Sequence, residues 1–256
     1  MITLSILLIS KEEKEMSDLN TNINELSNLF ETWKQEQDNL RKLIRAQKNF
    51  DVAMDLAIKQ HGLIHFKEVS GCQEDTHLDK LWKILDENDL TAMPFKENKN
   101  IMYKRTILHH IWHITRIEDI VSNLLIGECS EILNDQWQEK LNISIRDTGN
   151  AMTDEEIIEF SQQIDVNELI NYRNVVGKRT IEIIKNLTVA DLKKRPTEEA
   201  LEQIMINGGL TMDKQSYWLK DFWGSYTFTG LILLPLTNHH LMHLKDCLQL
   251  KVELNG

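Results

Sequence analysis

The sequence predicts an all-α fold, and three observations support this prediction. The 256 residues include only 3 prolines and 10 glycines, too few for the turns of a many-stranded β fold. Apolar residues recur at three- and four-residue steps over long stretches, which is the period of an amphipathic helix. Helix-start signals also recur, as at Thr153 with Glu156. Because no linker or internal repeat divides the chain, we expect a single helical domain over residues 16–256.

Composition narrows the class of protein. Hydrophobic residues make up 41% and charged residues 27% of the chain, as in ordinary soluble globular proteins. A formal net charge of −11 argues against a nucleic-acid binder that relies on phosphate contacts. Cys72, Cys129 and Cys247 show no CxxC spacing and are typical of free thiols in a reducing compartment. These features suggest a bacterial cytoplasmic protein without a membrane span.

Residues 1–15 differ from the rest of the chain. They open with the apolar run MITLSILLIS and continue into KEEKE. The apolar run is too short to cross a membrane and lacks the basic segment of a signal peptide. Codons for Lys and Glu are purine-rich and can form a ribosome-binding sequence. We therefore expect residues 1–15 to be a mis-assigned extension and Met16 to start the protein.

The first predicted helix covers residues 23–61, as one amphipathic helix or two joined end to end. Its apolar positions are Leu26, Leu29, Phe30, Trp33, Leu40, Leu43, Ile44, Phe50, Met54 and Ala57. His61 and His65 follow at the end of this pattern, one helical turn apart. Residues 66–100 are predicted to be a long connection that contains a short helix over 78–85.

The clearest helical pattern covers residues 104–126. At about 100° per residue, its apolar face consists of Ile107, Ile111, Ile114, Ile117, Val121 and Leu125. The opposite side is predicted to be polar and carries Arg105, Arg116, Asp119 and Asn123. Since Arg116 and Asp119 are three positions apart, we expect a surface ion pair of small energetic value.

In the second half of the chain, the sequence predicts several shorter helices followed by a long apolar helix. The short helices cover residues 132–141, 153–164, 165–187 and 197–206, the last stopped by Gly208 and Gly209. The final helix covers residues 231–250. Pro235 lies inside it, one turn before His239, and should kink it or free a backbone carbonyl.

Histidines occur in pairs whose spacing suits a metal ion. The pairs are His61/His65, His109/His113 and His239/His243 at i, i+4, with His110/His113 and His240/His243 at i, i+3. Residues four apart share one face of a helix, so two imidazoles can reach the same ion. A catalytic zinc-type centre needs three protein ligands, so two helices must converge. Buried histidines satisfied by local hydrogen bonds are the alternative.

Two motifs resemble the DinB-like superfamily, which includes bacillithiol and mycothiol S-transferases and related metal-dependent hydrolases. The first is His113-Ile-Thr-Arg-Ile-Glu118, and the second, about 120 residues later, is His239-x-x-x-His243 followed by Leu. The resemblance covers most of the chain by order of elements but only these two motifs by residue. The chain is longer than a minimal bundle, mainly between the second and last helices.

This resemblance implies a four-helix bundle with up-down-down-up connections and extra short helices between helix 2 and the last helix. It also implies a divalent ion, nickel or zinc, held by His113, His239 and His243 with open coordination positions. Helical phase partly disagrees, because His110 lies nearer the middle of the apolar face than His113, which is on its flank. His110 is therefore the alternative ligand from this helix.

Other residues are candidates for the same site. His61 and His65 would line the pocket if the first two helices are antiparallel neighbours, and would otherwise form a partly exposed helix end. Glu118 and Asp246 are candidates to orient ligating imidazoles through the second ring nitrogen. The aromatic residues that suit a pocket wall or the core are Trp112, Trp218, Phe222 and Trp223.

The expected function is that of a metal-dependent enzyme. An ion on three neutral imidazoles keeps its positive charge and can activate a bound water or thiol. The resemblance implies a thiol-dependent S-transferase or hydrolase acting on a small electrophilic molecule, with a low-molecular-weight thiol as cosubstrate. The alternative is a non-catalytic, small-molecule-binding or dimerising module, since the apolar last helix also suits a homodimer interface.

Overall fold

The computed structural model describes residues 2–46, 49–95 and 99–255, without the side chains of residues 2–12 and 15. Within these ranges the chain is helical and contains no β-strand. The helices are α1 Ile2–Ala46, α2 Phe50–Leu63, α3 Lys67–Ser70, α4 His77–Ile84, α5 Glu87–Thr91, α6 Ile107–Asp119, α7 Asp135–Leu141, α8 Asp154–Gln163, α9 Val166–Lys185, α10 Glu198–Ile206, α11 Lys214–Gly224, α12 Phe228–Leu233 and α13 His239–Leu254. The predicted start at Met16 depends on residues 1–15, most of whose side chains lie outside this description, and it stays a prediction.

Two segments with wider winding extend the main helices. The π-helical segment Ile120–Ile126 continues α6, and the π-helical segment Leu234–Asn238 joins α12 to α13. The second contains Pro235, so the predicted interruption before His239 is confirmed. None of the described helices combines the length and the apolar character needed to cross a membrane.

Several helix starts follow the predicted capping signals. The Thr153 side chain accepts from the backbone N–H of Glu156, whose carboxylate accepts from the N–H of Thr153. Asp165 caps α9 and Thr197 caps α10 in the same manner, through side-chain oxygens. Local sequence therefore determines where these helices begin.

The helical pattern over residues 23–61 forms two antiparallel helices, not two helices end to end. The indole N–H of Trp33 donates to the carbonyl of Gln60 at 2.9 Å. One turn later on α1, Glu36 pairs with Lys59, one residue earlier on α2. Since the contacts run in opposite directions along the chain, α2 folds back against α1.

Helix α6 lies at the centre of the molecule, so its polar side is buried and does not lie at the protein surface. Every residue of Ile107–Asp119 is buried. The cause is the long segment after α6, together with α9, which covers the face that the sequence pattern leaves polar. Polar residues on that face find hydrogen-bond and ion-pair partners in the segment after α6 and in α9.

Arg116 and Asp119 accordingly form a buried network, in contrast to the predicted surface pair. The Arg116 guanidinium donates to Asp119 at 3.3 Å and also pairs with Glu131. The Tyr172 hydroxyl donates to Asp119 at 2.6 Å, and two backbone N–H groups, at residues 132 and 133, donate to the same carboxylate. This network joins α6 to α9 and to the segment before α7.

Contacts along α6 give the directions of its neighbours. Tyr103, just before α6, meets Asp246 in the middle of α13, whereas His113 meets His239 at the start of α13. Helices α6 and α13 are therefore antiparallel. Thr115 meets Arg173, and Gly127, further along, lies against Ile183 of α9. Helices α6 and α9 are therefore parallel.

The apolar core is divided into two clusters, one towards each end of the bundle. On α2 the change from one cluster to the other falls between Ala57 and Ile64. On the last helices it falls between Leu236 and Leu241. The buried side chains between these positions are polar, namely Gln60, His61, Thr237 and His240. A polar layer thus crosses the core at mid-height.

Candidate metal centre

Three imidazoles, from α6 and from the first turn of α13, converge inside the molecule. One ring nitrogen of each of His113, His239 and His243 lies within 4.8 Å of those of the other two. The Nε2 atoms of His239 and His243 are 3.1 Å apart. Two nitrogens that each lie about 2.1 Å from one zinc-type ion are separated by roughly 3.0–3.4 Å. The spacing of this three-histidine site therefore fits a shared ion.

The irregular backbone around Pro235 determines the direction in which His239 points. The π-helical segment ends at Asn238, so His239 is the first residue of α13. Buried Gln37 of α1 donates to the carbonyl of Leu233 at 2.9 Å and to the Thr237 hydroxyl at 2.8 Å. The first bond satisfies a backbone carbonyl that a regular helix would have paired internally, so the interruption is supported from α1.

Two of the three imidazoles are also held through their other ring nitrogen. The Nδ1 atom of His113 lies 2.8 Å from the carbonyl oxygen of Thr148, so this nitrogen carries the proton and donates. Its Nε2 atom then keeps a lone pair for an ion. A backbone carbonyl or carboxylate in this place is the usual support for a metal-binding histidine.

His243 is held by His110. Their Nδ1 atoms lie 2.6 Å apart, so one of these imidazoles donates to the other. In the tautomer in which His243 donates to His110, the Nε2 atom of His243 is free to bind an ion. The ring of Tyr103 also stacks on His243, with centroids 4.4 Å apart. The structure thus places His113 in the three-histidine site and His110 behind it.

Burial keeps these imidazoles neutral. Burial lowers the pKa of His113 to about 4, opposed by the hydrogen bond to Thr148. Burial, followed by the neighbouring imidazoles, lowers the pKa values of His239 and His243 well below their ordinary value. Because only neutral imidazole binds a metal ion, the site is in its binding form at neutral pH.

A second polar cluster lies beside the first. His61, His65 and Glu118 are fully buried and also have donor atoms within 4.8 Å of one another. Each imidazole meets a different carboxylate oxygen, His61 at 2.6 Å and His65 at 2.9 Å. Burial by itself raises the pKa of Glu118, but the imidazoles of His65 and His61 hold it well below its ordinary value. This carboxylate is therefore ionised.

The second cluster fits a metal ion less well than the first. Metal-binding histidines usually donate from the ring nitrogen that does not bind the ion. Among the described residues, the Nδ1 atoms of both His61 and His65 have no hydrogen-bond partner, whereas in the first site only that of His239 has none. Arg173, whose pKa burial lowers only to about 10, already balances the charge of Glu118. A divalent ion would add uncompensated positive charge to a closed interior. A hydrogen bond joins His61 to Glu118, whereas Nε2 of His65 and Oε2 of Glu118, 2.9 Å apart, form an ion-pair contact without hydrogen-bond geometry.

The four subsidiary candidates are therefore placed differently from expectation. His61 and His65 do not join His113, and neither forms a partly exposed helix end. Glu118 pairs with these two histidines. Asp246 accepts from the backbone N–H groups that precede α6, at residues 102 and 103, at 2.9 and 2.7 Å. It fixes the loop that carries Tyr103 and does not orient a ligating ring directly.

A pocket opens on one side of the three-histidine site. His113 and His239 form part of its wall, and the other lining residues are Tyr103, Ile117, Asn150, Trp218, Leu219, Phe222, Trp223, Leu234, Pro235 and Met242. A pocket wall and the core were alternatives for the four aromatic residues. Trp218, Phe222 and Trp223 line the pocket, whereas Trp112 is fully buried in the core. An ion at this site would be reachable from the pocket.

No protein-family model matches the chain, and a search of curated proteins gives no significant match. Sequence motifs alone identify the three histidines. They do not identify Thr148, which acts through its backbone carbonyl. Because every residue has a backbone carbonyl, such a role cannot be recognised from the residue type.

Proposed function

We propose that the protein is an enzyme that uses a divalent metal ion, nickel or zinc, as a thiol-dependent S-transferase or hydrolase acting on a small electrophilic molecule. The observation that carries the proposal is the meeting of His113, His239 and His243 at the wall of a pocket. When bound there, an ion would supply a Lewis acid that activates a water or thiol near neutral pH.

The chain's own residues would prepare this site. Thr148 and His110 hold the outer nitrogens of two ligands, which fixes tautomer and ring direction before an ion arrives. Burial keeps the rings neutral. The pocket wall would exclude bulk water from one side and position the substrate. An open side distinguishes an enzyme from a purely structural metal site.

Helix directions support membership of the DinB-like superfamily as part of the proposal. Helix α2 is antiparallel to α1, and α1 is antiparallel to the last helices through Glu31–Lys245 and Gln37–Leu233. Taken in chain order, helices α2, α6, α9 and α13 then run up, down, down and up. In this assignment α1 is additional, and the helices between α6 and α13 other than α9 are the predicted extra elements.

Metal content tests the proposal. Protein incubated with excess zinc or nickel, desalted and measured by elemental analysis should retain about one ion per chain. His243→Ala should lose it. His65→Ala, in the second cluster, and His77→Ala, outside both clusters, should retain it. If His243→Ala retained the ion and His65→Ala lost it, the metal centre would lie in the second cluster instead.

Cobalt substitution separates the enzyme from the non-catalytic alternative. An open coordination position should let an added low-molecular-weight thiol change the visible spectrum of the cobalt-loaded protein. An unchanged spectrum would indicate a closed shell and a structural ion. No metal binding by the wild-type protein would overturn the proposal outright.

A further inference from the structure

We propose that the pocket beside the three-histidine site binds a small, uncharged molecule with one aromatic ring. The inference rests on the proposed function for its placement at that site and goes further by naming the substrate class. The observation that carries it is the chemical character of the pocket wall, which is aromatic and contains no Asp, Glu, Lys or Arg among the described lining residues.

The aromatic part of the wall comes mainly from α11. Trp218 and Phe222, one turn apart, are arranged edge to face with centroids 5.1 Å apart, and Trp223 continues the wall inwards. Tyr103 contributes from the other side, where its ring is held against His243. Flat rings facing a confined space favour a flat apolar ligand, through area buried and edge-to-face contacts.

The pocket is too small for a large ligand. Its volume is about 170 Å³, below the roughly 300–1,000 Å³ of sites for drug-sized molecules. One substituted ring therefore suits it better than a nucleotide or a peptide. Trp218, which is 47% exposed, stands at the edge of the pocket, so a ligand can enter beside it.

Charge is missing from the wall. Among the described lining residues, none is Asp, Glu, Lys or Arg. Asp246 lies behind Tyr103 and already accepts two backbone N–H groups. Besides the two histidines, the polar lining residues are Tyr103 and Asn150, both uncharged at neutral pH. A charged ligand would lose hydration without gaining a counter-charge.

Three probes of nearly the same shape test this inference: benzamide, which is neutral, benzoate, which is anionic, and benzamidine, which is cationic. Binding is measured on the metal-free, full-length protein by ligand-observed NMR, with tryptophan fluorescence as a second readout. We expect benzamide to bind about ten-fold more tightly than either charged probe, because only the neutral probe avoids the uncompensated loss of hydration.

Two variants locate the binding. Trp218→Ala should weaken benzamide about five-fold or more by removing part of the wall, whereas Met212→Ala, at a position 78% exposed and outside the pocket, should leave it unchanged. Asn150→Asp places a carboxylate in the wall and should raise the affinity for benzamidine relative to benzamide. Circular dichroism checks that each variant is folded.

The outcomes are distinct from those of the metal test. Equal or tighter binding of benzoate or benzamidine by the wild-type protein would overturn the inference, as would failure of all three probes to bind. An unchanged probe preference in folded Asn150→Asp would do the same. Since the protein is metal-free throughout, failure here leaves the metal proposal standing, and failure to bind metal leaves this result intact.

Discussion

The Nδ1 atoms of His110 and His243 lie 2.6 Å apart in the buried interior. When His243 donates to His110, the Nε2 atom of His243 keeps a lone pair for an ion. One imidazole is therefore placed to select the tautomer of another, directly behind the three-histidine site. Helical phase places His110 on the buried face, but only the fold shows that it acts from behind a ligand.

Replacement of His110 should weaken metal binding without abolishing it. His110→Ala removes the acceptor for His243, and we expect zinc affinity to fall about 10- to 100-fold. His110→Gln, which offers an amide oxygen, should recover part of the loss. Competition with a chromogenic chelator measures the affinity, and His77→Ala serves as control. Wild-type affinity in His110→Ala would show that the contact does not support His243.

The buried network around Asp119 should contribute strongly to stability. Asp119→Asn puts an amide where Tyr172 and two backbone N–H groups need an acceptor, and it leaves Arg116 without that charge partner. We expect the free energy of unfolding to fall by about 3–5 kcal/mol. Denaturant unfolding followed by circular dichroism measures the change.

An exposed ion pair provides the matched control for Asp119. Asp38→Asn breaks the pair with Arg41 on the surface of α1 and should change the free energy of unfolding by no more than about 0.5–1 kcal/mol. Equal effects of the two substitutions would restore the interpretation of Arg116 and Asp119 as a weak pair.

Gly177 should be intolerant of a side chain. A Cβ atom there would lie 2.7 Å from Nδ1 of His65 and 2.9 Å from a methyl carbon of Val69. Alanine usually favours a helix over glycine by about 1 kcal/mol, but we expect Gly177→Ala to lower the free energy of unfolding by about 1–3 kcal/mol through overpacking. Lys178→Ala, at the next and exposed position, should be nearly neutral. A stabilised Gly177→Ala protein would mean that His65 moves freely.

The metal-free protein should lose stability in mild acid. Burial, as the largest cause, lowers the pKa values of His65 and His110 to about 3 and that of His113 to about 4, from 6.5. Below about pH 6.5 the unfolded chain therefore binds protons that the folded chain does not, and the free energy of unfolding falls as pH decreases towards 4. Urea midpoints at pH 7.5 and 5.0 measure this. A midpoint that stays constant or rises on acidification would contradict the neutral, buried state of these rings.

The helical class and several helix starts could be predicted because each depends on local spacing or a short motif. Spacing alone left several histidine sets open, and His113, His239 and His243 were selected by the resemblance to the DinB-like superfamily. Thr153 and Asp165 cap helices through their own side chains, so distant contacts are not needed. The pairing of His61 and His65 with Glu118 was not predictable, since it depends on which helices meet. The burial of Arg116 had the same origin, because its cover comes from residues 128–146 and α9.

The π-helical segment Leu234–Asn238 has a consequence for everything that follows it. Wider winding shifts the angular position of later residues by about one residue step, roughly 100° around the axis. A regularly wound helix from Phe228 would present the HxxxH pair towards a different neighbour. The direction in which both imidazoles point is therefore determined by the segment that precedes them. Copying the pair into another bundle without this π-helical turn would not reproduce the centre.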